Sequence, residues 1–495
     1  MKMIKTLLMA VILSAPLVAP WARGDVIFKT LVSFTFTNAP NYGATGSGAQ
    51  RTGSMVQGDD GSFYGTTQLG GPVDKYRDTW GTIFKMTPDG TFTNIYLFGT
   101  LTNGGVTPLD GAAPVGNLIK GADGNLYGTA SAGGANNGGT VFQITTNGAL
   151  AVIHSFGGNS LFDNDPNVYA WTNADGSNPL AGVVQGRDGN YYGTTSLYGA
   201  NGQGTVFQLT PGGILTTLHA FSAALTSHSE TNGDGAMPMG ELVEGDDGNF
   251  YGTTELGGVY GLGTIFRIAP DGTFTNLVMF DGTNNGAHPF AGLCKGKDGN
   301  FYGTTLGVSG SYNTVFQIIT NGVLTKLHDF SGGPNDGEPL AKLIQGSDGN
   351  FYGTTYANTV FQITANGRFT VLHLFSHLDG WEPEASLVQG TDGSFYGTTS
   401  AGGASYDPSS GSQGYGTIFR ITIPPAFQTI TQTNGVVALT WSIMPGQKYQ
   451  LQSNTDLSST NWLNLGSSVT ASNTIVSASD SMTNSRRFYR IMLTQ

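Results

Sequence analysis

The sequence predicts an all-β protein: a seven-bladed β-propeller of four-stranded blades, followed by a small β-sandwich. Three observations carry this. The phrase Asp-Gly-(Asn/Ser)-(aromatic/Leu)-Tyr-Gly-Thr occurs seven times, with its tyrosines at Tyr64, Tyr127, Tyr192, Tyr251, Tyr302, Tyr352 and Tyr396. A second phrase, Thr-(Val/Ile)-Phe, follows each copy and ends at Phe84, Phe142, Phe207, Phe266, Phe316, Phe361 and Phe419. Asp-Gly and Asn-Gly dipeptides, which favour tight hairpins because both central residues accept positive φ, separate the short apolar runs.

One copy shows the unit. Around Leu343–Gln345, Phe351–Thr355, Thr359–Thr364 and Arg368–Phe375 lie four strands, joined by Ser347-Asp348-Gly349-Asn350 and Ala365-Asn366-Gly367 turns. Four antiparallel strands per 40–50-residue repeat is the pattern of a propeller blade. The spacing between tyrosines falls from 63 residues (Tyr64 to Tyr127) to 44 (Tyr352 to Tyr396), so length varies only in connections. The chain ends predict closure. The seventh copy stops after Phe419-Arg420-Ile421-Thr422 and runs into Pro424-Pro425, lacking a fourth strand. The missing strand is expected at Val26–Phe34, which matches Leu215–Phe221 of another copy. Closure of this kind removes exposed sheet edges.

Residues 1–24 read as a secretory signal: Lys2 and Lys5, an apolar run from Leu7 to Ala15, and a small-x-small site at Ala22-Arg23-Gly24. That run is too short for a membrane span, so the mature chain is expected to carry no membrane span. The propeller is expected over 25–423 and the sandwich over 424–495. The expected location is secreted or associated with the cell envelope. A net charge of −12 excludes a nucleic-acid partner, which requires a basic stripe. The single cysteine, Cys294, excludes an intramolecular disulfide and stands where other copies place Val184, Val243, Ile344 or Val388, so it reads as a core residue.

The seven Tyr-Gly-Thr phrases and their Thr-(Val/Ile)-Phe partners resemble the glycine-rich GloVer-type tandem repeat of secreted bacterial proteins. The resemblance spans residues 26–423 and implies export and repeat architecture rather than a particular chemistry. After Pro424-Pro425, alternation at Val437, Leu439 and Trp441, then Tyr449 and Leu451, then Phe488–Met492, predicts about six strands, similar to a fibronectin type III-like module. Trp441 and Trp462 are its expected core anchors.

The seven turn aspartates, Asp60, Asp123, Asp188, Asp247, Asp298, Asp348 and Asp392, read as structural Asx-type turns, because a role repeated in every blade serves the scaffold. His154, His219, His328 and His373 occupy one equivalent strand-four position and read as packing residues, since separate blades hold them too far apart for one metal shell. No Gly-x-Ser-x-Gly elbow, His-Glu-x-x-His or Walker loop occurs. No cofactor is expected; Asp163 and Asp165 are weak calcium candidates.

Blade topology places all the length variation on one face, where loops on a rigid scaffold carry binding. The long loops hold Tyr76, Trp80, Tyr169, Trp171, Tyr198 and Tyr406, the expected ligand-binding residues, beside acids such as Asp74 and Asp78. Aromatic plates beside carboxylates suit sugar rings. The expected function is a non-enzymatic binding or adhesion protein with an extracellular carbohydrate or protein partner. A polysaccharide-degrading hydrolase or lyase with its site in the funnel, and a structural envelope protein, are the alternatives.

Overall fold

The computed structural model describes residues 26–34, 53–70, 80–99, 108–157, 173–223, 231–283, 285–307, 313–330, 337–409, 412–434, 436–445, 447–456, 461–470, 475–481 and 487–494. The expected signal segment lies outside them, as do Tyr76, Tyr169, Trp171, Asp163 and Asp165. Among the described residues the regular structure is entirely β, and no helix is long and apolar enough to cross a membrane.

Seven antiparallel four-stranded sheets correspond to the seven repeats. In the first repeat they are β2 (Val56–Gln57), β3 (Phe63–Thr67), β4 (Thr82–Met86) and β5 (Phe92–Leu97), in that order across the sheet. The first strand is two residues long in every repeat, one fewer than the Leu343–Gln345 expected from the sequence. The last repeat supplies Val388–Gln389, Phe395–Thr399 and Thr417–Thr422, and the fourth position is taken by β1 (Ile27–Ser33). β1 pairs antiparallel with Thr417–Thr422, from Ile27 opposite Thr422 to Ser33 opposite Thr417, with a bulge between Thr30 and Val32.

The two repeated phrases are coupled by packing. Gly65 pairs across the ladder with Phe84, and a Cβ at Gly65 would meet the Phe84 Cζ at 2.5 Å. Glycine is therefore required where the phenylalanine ring folds over its cross-strand partner. Every residue of β3 is buried, because this strand is covered on both faces. From the second repeat on, the tyrosine packs on the aromatic residue before the next repeat tyrosine: Tyr127 on Tyr191 at 4.4 Å, Tyr192 on Phe250 at 3.9 Å, Tyr251 on Phe301 at 4.2 Å, Tyr302 on Phe351 at 3.8 Å and Tyr352 on Phe395 at 4.1 Å, while Tyr64 of the first repeat shares a core with Leu126. Tyr396 of the last repeat makes the same contact with Phe63 of the first, at 4.1 Å. Full burial of each such ring contributes about 2–3 kcal/mol.

Backbone-to-side-chain bonds follow the same order. Gln185 accepts the Ala122 N–H of the preceding repeat at 2.9 Å, and Gln345 and Gln389 accept those of Lys297 and Ser347 at 2.8 Å. Gln57 accepts the Thr391 N–H at 2.8 Å, joining first repeat to last. The hydroxyl in Tyr-Gly-Thr also serves these joints: Thr129 donates to the Ala181 carbonyl, Thr253 to Ala291 and Thr354 to Ala385.

Residues 426–494 form a three-stranded and a four-stranded antiparallel sheet around Phe427, Val437, Leu439, Trp441, Tyr449, Leu451, Tyr489 and Ile491. Trp441 is 2% exposed and is a core residue. Trp462 is not; it lies half-buried beneath the Arg490 guanidinium, 4.4 Å from the ring centroid, at the sheet margin. Met444 leaves this unit and joins the core formed by Tyr352, Phe395, Ile421 and Ile423 of the last two repeats. The C-terminal unit thus docks against the Asp-Gly turn of the last repeat, where Gly393 faces Met444 and Pro445.

Candidate functional site

The two ends of the repeat array differ in construction. At the turn end, each of the seven aspartates accepts the backbone N–H two residues on, at 3.0–3.2 Å. Its second oxygen accepts the hydroxyl of the repeat tyrosine, at 2.7–2.9 Å. Gln143, Gln208, Gln317 and Gln362 reach the same hydroxyls from the third strand, and Lys85 takes that place in the first repeat, 2.7 Å from Asp60. Partial burial alone would raise the Asp60 pKa, but the bonds from Lys85, Ser62 and Tyr64 outweigh it and hold the carboxyl at about 2. Burial and the neighbouring carboxylate push Tyr192, Tyr251 and Tyr302 up to about 12. These tyrosines stay neutral donors.

At the connection end a second Asp-Gly phrase recurs. Asp175, Asp234 and Asp379 accept a bond from the strand-four histidine of their own repeat: His154 at 3.1 Å, His219 at 2.8 Å and His373 at 3.1 Å. In the first repeat Tyr96 donates to Asp110 at 2.8 Å. The same carboxylates accept the backbone N–H just beyond strand four, at Gly99, Gly157, Ser222 and Ser376. The histidine rings also stack on the next sheet: His219 on Phe274 at 3.9 Å, His328 on Phe369 at 4.2 Å and His373 on Phe28 at 3.7 Å. In the fourth repeat Val278 stands at the histidine position and Asn285 at the aspartate position, so the two change together. Among the described residues no group of three or more His, Cys, Asp or Glu is placed to hold a metal ion. Cys294 is a buried free thiol whose pKa burial pushes up.

From the second repeat on, the connection then runs through a proline (Pro114, Pro179, Pro238, Pro289, Pro339 and Pro383) and a short inward segment to the first strand. These segments meet around a cavity of about 120 Å³, open to solvent. Val115, Leu180, Met239, Phe290 and Leu340, each next after that proline, form a half-exposed apolar collar, and Glu384 holds the equivalent place in the last repeat. Two residues further along, Ser54, Asn117, Gly182, Glu241, Gly292, Lys342 and Ser386 form the floor. Lys342 crosses it to Glu241, 2.8 Å away, over Gly292 of the repeat between. Burial pulls the Lys342 ammonium down, but the adjacent Glu241 carboxylate outweighs this and holds it above the ordinary lysine value. A Cβ at Gly292 would fall 2.4 Å from the Glu241 carbonyl oxygen, so the floor closes only with glycine there.

The aromatic residues singled out from sequence separate into different roles. Trp80 packs into the core shared by the first two repeats and lies against Gly99, where a Cβ would come within 2.2 Å of its ring. Tyr198 is half-buried with φ of 60°, at a position where other repeats carry Gly70, Gly133, Gly257 and Gly402, all with positive φ. Tyr406 opens a small hairpin with Ser412–Gln413 and stacks at 4.4 Å on His377, which stacks at 3.9 Å on Trp381. Tyr356, 39% exposed, donates to Glu382 at 2.8 Å, and Glu382, with Glu384 and Glu338 behind it, raises its phenol pKa. Sequence reasoning missed Tyr356, Trp381 and the Glu241–Lys342 pair. Aligning the repeats beyond their shared phrases would have found them, because each occupies a position that differs from copy to copy.

Among curated proteins, nothing matches the sequence. Solved structures similar to the chain include a gluconolactonase from Xanthomonas campestris, 13% identical with a TM-score of 0.36, covering 61% of this chain and 83% of that one. A luciferin-regenerating enzyme is 11% identical with a TM-score of 0.37, over 80% of this chain and 95% of that one. The dipeptidyl peptidase 4 of Porphyromonas gingivalis is 10% identical with a TM-score of 0.36, over 80% and 58%. The sequence itself matches the model of one repeat family across residues 22–172 and 163–358, which with the seven-fold phrase places the chain in the Gloeobacter/Verrucomicrobia repeat family.

Proposed function

We propose that the chain is an exported binding or adhesion protein, built as a closed seven-bladed β-propeller with a fibronectin type III-like module at its C-terminus. In this reading the connection end engages an extracellular carbohydrate or protein. Closure is supported by the pairing of β1 with the last repeat and by the contacts of Tyr396 with Phe63 and Thr391 with Gln57, which repeat those between consecutive sheets. The observation that carries the function is the contrast between ends. One end makes the same aspartate–tyrosine bond seven times, while the other brings a different side chain from nearly every repeat to a shared opening. Rigid scaffolds bearing varied loops are the usual architecture of recognition. The C-terminal unit, docked at the turn end through Met444, leaves the opening uncovered.

Glycan-array binding, with and without calcium and with a parallel assay for sugar release, tests this. Saturable binding without product, lost in Trp381→Ala or Trp171→Ala, supports the reading. Released product would replace it with a polysaccharide-degrading enzyme, for which Glu241 and Glu384 are the acids in the cavity. Silence in both assays and against protein partners would favour a structural envelope role.

A further inference from the structure

The sheet edges of this chain are blunted at all but one place. An edge strand presents N–H and C=O groups that template pairing with another chain, and proteins blunt such edges with bulges, very short strands or inward-pointing charges. The fourth strand of every repeat sheet, β1 in the last, carries a bulge against its neighbour. In the C-terminal unit the strand Ala426–Thr433 carries one between Phe427 and Thr429. The strand Ile475–Ser481 turns Asp480 inward, where it is buried and accepts bonds from Arg487 and Tyr489. Leu463–Asn464 and Val469–Thr470 are two residues each. Phe488–Thr494 has none of these devices. It pairs with Lys448–Asn454 over seven residues in unbroken register, and among the described residues no strand pairs with its other edge. Its one charge, Arg490, is folded back over its own sheet, onto the Trp462 ring and the Gln452 Oε1.

We infer that Phe488–Thr494 is a self-association edge, which pairs antiparallel with the same strand of a second copy of this chain. The strand is self-complementary about Ile491. In a two-fold register centred there, Tyr489 stands opposite Leu493 of the second copy and Ile491 opposite its own equivalent, on the face that carries the core. On the other face Arg490 stands opposite Met492 and Phe488 opposite Thr494, so no like charges meet across the pair. A two-fold pairing is closed and stops at two copies. The repeat sheets select the antiparallel sense. Lys448 follows the loop in which Met444 meets the last repeats, and Lys448 pairs with Thr494. The Thr494 end therefore lies toward the repeats and the Phe488 end away from them. Antiparallel pairing carries the two repeat arrays to opposite ends of the joined sheet. Parallel pairing would bring both to one end, where strands about 4.8 Å apart leave them no room. In the antiparallel pair the two connection ends face apart, and two copies of the proposed binding end are offered at once, so that avidity adds to either affinity. The pairing itself does not depend on what that end binds.

Sedimentation equilibrium on the full-length chain provides the test, with charge substitutions at Met492, which is half-buried on the face away from the core. A reversible equilibrium between monomer and dimer is expected, with no larger species. Met492→Lys sets a lysine opposite Arg490 of the second copy and should weaken dimerisation by tenfold or more. Met492→Glu sets a carboxylate there and should dimerise at least tenfold more tightly than Met492→Lys. Melting temperatures of both variants check that each is folded. Ile475→Lys, on the exposed edge of the other sheet, should leave the equilibrium unchanged. A wild-type chain that stays monomeric up to about 1 mM overturns the inference and leaves the edge to a strand of a different protein. Equal dimerisation by the lysine and glutamate variants overturns it, because the register then does not bring Arg490 and Met492 together. Loss of the dimer in Ile475→Lys alone would move the contact to the other sheet, and growth beyond two copies would rule out a closed pairing; either result overturns it.

Discussion

The turn end and the connection end are built from the same seven repeats and yet follow opposite rules. At the turn end Asp60 and its six counterparts make one bond set, aspartate to backbone and tyrosine to aspartate, in every copy. At the connection end the seven floor positions carry five residue types: serine and glycine twice each, and asparagine, glutamate and lysine once. Repetition of one geometry serves the scaffold, because each copy solves the same problem of ending a hairpin and locking it to the next sheet. Variation within that scaffold is where a single, asymmetric ligand can be recognised. The difference teaches that the symmetry of the fold and the asymmetry of its proposed function occupy opposite ends of one strand set.

The largest expected effect lies at the symmetric end. Tyr251 is fully buried, packed on Phe301 with the rings tilted, and bonded to Asp247. Tyr251→Ala should cost about 3–5 kcal/mol, as deletion of a buried aromatic does. Urea unfolding would measure it, and ligand binding by the folded protein should be unchanged. Lost binding at wild-type stability would break the contrast between ends.

The histidine–aspartate pairs offer a finer test, because the protein contains its own control. His219→Val removes one bond from the Asp234 carboxylate, which is half-buried, held below the ordinary range by His219 and Ser222 against the effect of burial, and left with only its Ser222 bonds. A loss of about 1–3 kcal/mol is expected from the lost hydrogen bond to a charged group. The double change His219→Val with Asp234→Asn reproduces the Val278 and Asn285 of the fourth repeat and should recover at least about 0.5 kcal/mol of that loss in a double-mutant cycle. Additive losses would mean that the pair is not the unit.

Much of this was legible in the sequence because the repeat phrases are dictated by backbone demands. Gly65 is there because Phe84 lies over it, so the two phrases must travel together, and seven pairs imply seven sheets. The second Asp-Gly phrase was harder to read. Asp175 meets His154 across 21 residues of a connection that varies in length, so no fixed spacing links them. The cavity was not legible at all, since its floor positions follow no common residue type and meet only when distant repeats converge; Glu241 and Lys342 are 101 residues apart. Trp80 illustrates the reverse case, where an aromatic residue in a long loop packs into its own scaffold.

Tyr198 sharpens the comparison with a smaller effect. It holds a left-handed backbone, φ of 60°, at a position that is glycine in four other repeats. For a residue with a Cβ that conformation costs about 1–2 kcal/mol, against roughly 0.5–1 kcal/mol for the greater entropy a glycine loses on folding. Tyr198→Gly should therefore raise stability by about 0.5–1 kcal/mol, read as a higher melting temperature. If Tyr198 contacts ligand, the same change weakens glycan-array binding; a gain in stability with full binding would assign the tyrosine no part in recognition.

The smallest effect separates one turn from its six counterparts. Asp60 alone has a lysine, Lys85, where four other repeats place glutamine. Its folded pKa of about 2 lies below the ordinary value of 3.8, so the stabilisation it gives is fully present above pH 4 and is lost as the pH falls through 2. Lys85→Gln should raise that pKa without restoring it to 3.8, because Tyr64 and the Ser62 N–H still bond the carboxylate, as their counterparts keep Asp123 and Asp188 low beside glutamine. A carbon-13 carboxyl titration would follow the shift. Near pH 7 the change in stability should stay at about 0.5 kcal/mol or less, since both side chains are more than a third exposed or close to it and water screens the pair. A larger loss would mean that the lysine, and not the aspartate–tyrosine bond shared by all seven repeats, holds the first turn.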